Sequence, residues 1–154
     1  MNHLNERYSD LNNISLFILL NIISKGQIRF IENQIQDFDI NPGDLPFLLY
    51  VSKHENVKQK DIANHFYVSE ANIARSLKKL EKKGFVKRTI DNKNKRRRLI
   101  SLTGEGKEIS SSLIDLLNDW EDFIYQNTDD EDINKFREVL YDLANQSLKI
   151  YEGE

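Results

Sequence analysis

Apolar residues recur at helical spacing between Tyr8 and Phe38, at Ile14, Phe17, Ile18, Ile28, Ile31, Ile35 and Phe38. That rhythm predicts one long amphipathic helix, with Gly26 the place for a bend. The stretch "DINPGD" stops it. Asn41 and Pro42 read as an N-cap followed by proline at the first helical position, and a second helix follows through "LPFLLYVSKHE". A short helix in "VKQKDIANHF" and a tight turn at "YVS" come next. "SEANIARSLKKLEKKG" then predicts a helix with Ser69 as its N-cap and Gly84 as its terminator. "FVKRTI" and "LISL" are rich in β-branched and aromatic residues and predict a hairpin, with the polar strip between them as its loop. Thr103 can cap a long helix in "EGKEISSSLIDLLNDWEDFIYQ". Thr128 can cap the last one, whose apolar stripe is Ile133, Phe136, Leu140 and Leu143. The predicted order is α-α-α-α-β-β-α-α, a mainly helical chain with a small β wing.

Composition narrows the class. The 154 residues suit one domain, or one domain with an appended helical part, and 39% apolar content is enough for a packed core. There is no cysteine, which excludes disulfides, thiolate zinc sites and thiol redox switches. The strongest apolar run, Ile14 to Ser24, is too short to span a bilayer, and no basic n-region precedes it. The expected location is cytoplasmic, with no membrane partner. Charge is segregated. Residues 54–108 hold fifteen Lys or Arg against seven Asp or Glu, whereas the rest of the chain holds seven against eighteen. A basic middle between acidic ends suits a polyanion-binding module on a helical frame.

Residues 57–84 fit a helix-turn-helix. Ile62, Ala63 and Phe66 would face inward on its first helix, Val68 would fill the turn, and Ile73, Leu77 and Leu80 would face inward on the second. Two helices that cross steeply need a small residue near the contact, and Ala63 supplies it. Across from that apolar face lie Ala71, Asn72, Arg75, Lys78, Lys79 and Lys82. Such a face can lie in a major groove, where Arg reads guanine and Asn reads adenine. The plainer reading is a solvated amphipathic helix. The short helix before it and the basic hairpin after it favour DNA. That hairpin carries Lys93, Lys95, Arg96, Arg97 and Arg98, and its flanking strands argue against a nuclear-localisation tag.

Together "IANHFYVSEANIARSLKKLEKKGFVKR", Asp91 and "RRRLISLTGEG" resemble the winged helix-turn-helix of the MarR transcription regulators. The most specific element is the wing aspartate, followed by basic residues and then Leu102-Thr103-Gly104-Glu105-Gly106. The resemblance extends to the helices on both sides and so covers nearly the whole chain. It implies a homodimeric transcription factor, usually a repressor, on a pseudo-palindromic double-stranded operator. Residues 1–40 and 104–154 would form the dimerisation region, and 41–103 the DNA-binding lobe. The second helix of the motif would enter the major groove, with Asn72 and Arg75 at base edges or phosphates and Ser69, Ala71 and Ser76 close by. The wing would reach the adjacent minor groove, with Asp91 orienting a basic neighbour and Lys93 and Lys95 beside it. Lys93 stands where the family usually has Arg. Lysine lacks the planar fork, so its minor-groove insertion should be weaker, with Arg96, Arg97 and Arg98 compensating on phosphates. Lys58 stands where the short helix usually has a Ser or Thr cap, and that helix end should be capped otherwise or fray.

Other chemistry is thin. His3, His54 and His65 share no metal spacing, and no catalytic triad, phosphate loop or carboxylate pair stands out. Neither an enzyme nor a cofactor is expected. The resemblance also implies a small aromatic acid as effector, for which Arg29, Phe30, Phe47 and Tyr50 are candidate lining. The competing function is a winged-helix protein-interaction module that never touches DNA.

Overall fold

A computed structural model describes residues 13–35, 40–91 and 94–151, and the fold divides into two compact units, Met1–Pro42 and Gly43–Glu154. In the first unit, helix α1 spans Leu16–Gln34. Its start lies later than the apolar rhythm suggests. Ser15 accepts the Ile18 N–H at 3.3 Å and fixes the first turn there, while residues 8–12 and Phe38 fall outside the described residues. The helix continues unbroken through Gly26. Ile14, Ile31 and Ile35 are buried, whereas Phe17 and Ile28, expected on the same apolar face, are exposed.

The second unit begins differently from expectation as well. Pro42–Asp44 forms a 3-10 turn that runs into the next helix, so the N-cap position of the α-helix falls at Asp44, three residues after Asn41. Helix α2 spans Leu45–Lys53, with proline in its first turn. Helix α3 is Gln59–His65 and helix α4 is Glu70–Lys82. The absence of a Ser or Thr before α3 is made good by Asp61, whose carboxylate accepts the Lys58 N–H at 3.3 Å. Lysine has no acceptor to return the favour, so only this half of a capping box operates. Ser69 accepts the Asn72 N–H at 3.3 Å and caps α4 as expected. At the far end Gly84 adopts φ +80, and Phe85 N–H reaches Leu80 O while Gly84 N–H reaches Glu81 O, both at 3.0 Å. This is a Schellman stop, which needs the left-handed conformation glycine adopts freely.

Strand β1 (Val86–Asp91) pairs antiparallel with β2 (Asn94–Leu102), from Val86 opposite Leu102 to Ile90 opposite Arg98. The basic strip is therefore mostly strand rather than the loop its polarity suggested. The next pair is Asp91 with Asn94, so the register shifts and residues 95–97 bulge from the ladder. A third short edge forms where Val57 and Ile100 exchange hydrogen bonds of 3.0 and 2.8 Å.

Helix α5 spans Gly104–Tyr125, and its N-cap Thr103 accepts the Gly106 N–H at 2.9 Å. Helix α6 spans Asp130–Leu148. Its cap is Asp129, whose carboxylate takes the Asp132 N–H at 2.9 Å, and not the adjacent Thr128. Arg137 on α6 pairs with Glu121 and lies over the Tyr125 ring of α5.

The core of this unit is Leu48, Ile62, Ile73, Leu77, Leu80, Ile100 and their neighbours, contributed by α2, α3, α4, the wing base and the first turns of α5. Ala63 is buried where α3 meets α4, as a close helix crossing requires. Only Gly106, Ile109, Ser110 and Leu113 of α5 are buried, and α6 buries no residue.

Candidate nucleic-acid interface

Helices α3 and α4 are joined by a turn whose backbone groups are satisfied locally. Val68 N–H donates to Ala63 O at 3.1 Å and Tyr67 N–H to Asn64 O at 3.3 Å. Tyr67 closes the turn at φ 51, an uncommon conformation for a residue with a side chain. Gln59 donates its carboxamide N–H to Glu70 O at 3.2 Å and ties the start of α3 to the first turn of α4.

Within α4 two faces separate cleanly. Ile73, Leu77 and Leu80 are buried, whereas Ala71, Asn72, Arg75, Lys78, Lys79 and Lys82 are exposed and Ser76 is half-buried. The exposed side chains are not all independent. Arg75 donates from its guanidinium to the Asn72 side-chain oxygen one turn earlier. Lys79 lies 3.7 Å from Asp44, a carboxylate that is only 6% exposed at the start of α2. Lys79 thus also serves the fold, since its charge is the partner of a buried acid.

The wing stands beside this helix. Lys95, Arg97 and Arg98 are exposed on β2, and Asp91 ends β1 opposite Asn94. Arg96 is in β2, and Lys93 lies outside the described residues. Sequence reasoning missed one residue of the construction. Arg88 of β1 sits 3.4 Å from Glu81 of α4 and links the wing to the helix. The one available signal was Glu81 itself, an acid in an otherwise basic stretch.

The four candidate effector residues are spread over two elements. Arg29 and Phe30 are on α1, and Phe47 and Tyr50 are on α2. Phe47 and Tyr50 pack into a ring cluster: Phe47 meets Phe66 edge-on at 5.1 Å, and Tyr50 stacks on His54 at 4.2 Å with His65 at 4.6 Å. An open cleft of about 580 Å³ in the second unit shares His54 with this cluster and is otherwise lined by Lys53, Lys87 and Lys107 with Ser101 and Ser110. None of the four candidates lines it. Among the described residues no group of three or more His, Asp or Glu stands together to hold a metal. No helix there is long and apolar enough to cross a membrane.

A helix-turn-helix followed directly by a two-stranded basic wing defines a winged-helix protein. A family model described as the MarR family matches residues 40–97. The transcriptional regulator SarZ of Staphylococcus aureus is 31% identical over 101 residues, which are 66% of this chain and 68% of that protein. The regulator BilQ of Clostridium symbiosum is 27% identical over 115 residues, covering 75% and 80% of the two chains. A crystal structure of MarR superposes with a TM-score of 0.79 at 27% identity, covering 92% of this chain and 97% of that one. The chain belongs to the MarR family of transcription regulators. That membership places it among transcription regulators rather than enzymes.

Proposed function

We propose that the chain is a cytoplasmic, dimeric, sequence-specific DNA-binding regulator, a repressor released by a small molecule. The observation that carries this reading is the division of α4. One face is spent on the core, and the opposite face offers Asn72, Arg75, Lys78 and Lys79 beside a wing that offers Lys95, Arg97 and Arg98. Helix α4 enters a major groove, where Ser69, Ala71, Asn72, Arg75 and Ser76 meet base edges and nearby phosphates. The wing, with Asp91, Lys93 and the arginines, follows the backbone toward the minor groove. Residues 41–103 act as the DNA lobe, while 1–40 and 104–154 supply the dimer region. A two-fold axis then sets two copies of α4 about 34–36 Å apart, one turn of DNA.

Anisotropy titration tests the groove assignment. Arg75→Ala weakens specific binding by about 1–3 kcal/mol and relaxes sequence preference, as loss of a base contact should. Lys93→Ala weakens all duplexes alike and flattens the salt dependence, as loss of a phosphate contact should. Variants that both bind like the parent protein overturn the groove assignment. Absence of duplex binding even at low salt supports the interaction-module reading instead.

The signal is a small anionic aromatic that prefers a dimer geometry mismatched to successive grooves. Its effect is bounded by its differential affinity, and a hundredfold preference amounts to about 3 kcal/mol. Arg29, Phe30, Phe47 and Tyr50 are assigned to its lining. Millimolar salicylate therefore weakens operator binding, and operator DNA weakens salicylate binding by the same factor. Mild peroxide leaves operator binding intact, because the chain has no cysteine to oxidise. Thiol-reversible release by peroxide, or operator affinity unmoved by salicylate, contradicts the respective half of this expectation.

A further inference from the structure

The cleft of about 580 Å³ lies between the end of α2, the base of the wing and the first turns of α5, all within the second unit. Its volume is in the range that holds small organic ligands. Lys53 from the last turn of α2, Lys87 from β1 and Lys107 from α5 all line it. None of the three makes an ion pair among the described residues, in contrast to Lys79, Arg88, Lys135 and Arg137. The one acid among the described lining is Glu55, so two positive charges stand uncompensated.

DNA binding by α4 does not account for these charges. Val86 is buried and Arg88 reaches back to Glu81 of α4, so both side chains leave β1 on the face toward the core and α4. Side chains alternate along a strand, which puts Lys87 on the other face. Ser101, its partner across the ladder, stands on that face with it and also lines the cleft. Like charges gathered in a concavity repel one another and focus their field there, and an anion that enters relieves the repulsion.

The lining also selects among anions. A monocarboxylate would leave one of the two charges unanswered. A phosphate monoester carries close to two negative charges at neutral pH, on three acceptor oxygens. Lysine ammonium groups serve such oxygens as point-charge donors, and the hydroxyls of Ser101 and Ser111 add neutral ones. The apolar side chains of Val51, Leu102 and Ile114 complete the wall and suit a carbon skeleton better than a bare inorganic ion. We infer that this cleft is a binding site for a small phosphate monoester. It lies off the exposed face of α4 and meets the ring cluster only at His54. It requires neither operator binding nor an aromatic effector.

The test titrates the full-length protein, without DNA, with n-butyl phosphate and n-butyl sulfate at constant ionic strength and neutral pH. Calorimetry gives affinity, and amide NMR shifts give location. The two esters share a skeleton and differ by about one charge. The expected result is one n-butyl phosphate per chain, with shifts centred on Lys87, Ser101 and Lys107, and roughly tenfold weaker binding of the sulfate. Lys87→Gln and Lys107→Gln should each weaken the phosphate severalfold, and a triple variant that adds Lys53→Gln should abolish its binding. All three lysines are exposed, so circular dichroism should show the variants folded. Equal affinity for the two esters overturns the inference, as does tighter binding of succinate, a dianion with its charge split between two ends. Binding that survives in the triple variant, shifts confined to α4 and the wing tip, or no saturable binding at millimolar concentration overturn it too. All these outcomes leave the regulator reading standing, since operator titration tests that separately.

Discussion

Gly106→Ala lowers the urea midpoint of unfolding, by a stability loss of about 3 kcal/mol. The reason is contact, not conformation. A Cβ at Gly106 would stand 1.9 Å from the Phe85 carbonyl oxygen and 2.8 Å from its carbon, which no rotamer can relieve. Nor can Phe85 retreat. Its N–H is held by Leu80 O, its carbonyl accepts from Thr103 N–H at 3.0 Å, and its side chain is buried. Alanine's better helix propensity offsets only about 1 kcal/mol. Gly104→Ala, two residues earlier with nothing within 4 Å of its Cβ, is the control and leaves the midpoint nearly unchanged. Both are compared at one protein concentration, because self-association feeds into apparent stability. Equal midpoints for the two variants refute the close approach of α5 to Phe85.

The second large effect concerns assembly. Phe136→Asp combined with Leu140→Asp converts the protein to a monomer at micromolar concentration and lowers operator affinity about a hundredfold or more. Helix α6 has no fully buried residue in its own chain, and Phe136, Val139, Leu140 and Leu143 keep 45%, 58%, 38% and 42% of their surface exposed, as Phe123 on α5 keeps 60%. An apolar stripe of that length is a mark of an interface. Carboxylates placed within it are desolvated without partners on association, which costs several kcal/mol per ion. Separated half-site binders also forfeit the gain from linkage, typically a hundredfold to ten-thousandfold. Circular dichroism should show the variant folded, since none of the fully buried side chains comes from α6. Light scattering with operator titration decides the matter. A double variant that remains dimeric removes α6 from the interface.

The features legible in the sequence were those with local causes. Ser69, Gly84 and Thr103 act through neighbours within one helical turn, and each does what its position suggested. Asp129 and Thr128 are adjacent and equally able to cap, so only the backbone path distinguishes them. The length of β2 was hidden because its basic half is polar on both faces and shows no alternation. Pairs distant in sequence left no trace: Val57 with Ile100, and Lys79 with Asp44. The exposed face of α4 was found by helical arithmetic, yet the bond that couples Asn72 to Arg75 depends on rotamers that arithmetic does not supply. For Gly106 the motif was visible and its cause was not, since the clash that demands glycine comes from a residue twenty-one positions away.

Thr103 stands where the end of α4, the start of β1 and the start of α5 converge. Its hydroxyl donates to Gly84 O at 2.5 Å and accepts from Gly106 N–H at 2.9 Å, while its own N–H holds Phe85 O. A joint pinned at three points with no room for a methyl group ties the end of α4 to the start of α5 through Thr103 and Phe85. With 22 residues, α5 is an arm of about 33 Å. A tilt of about 5° about that joint sweeps the far end of α5 through roughly 3 Å and the first turn of α4, 13 residues back from it, through about 1.7 Å. A push at the far end of α5 is thus felt at the start of α4 at a little over half its amplitude, through the single joint at Thr103.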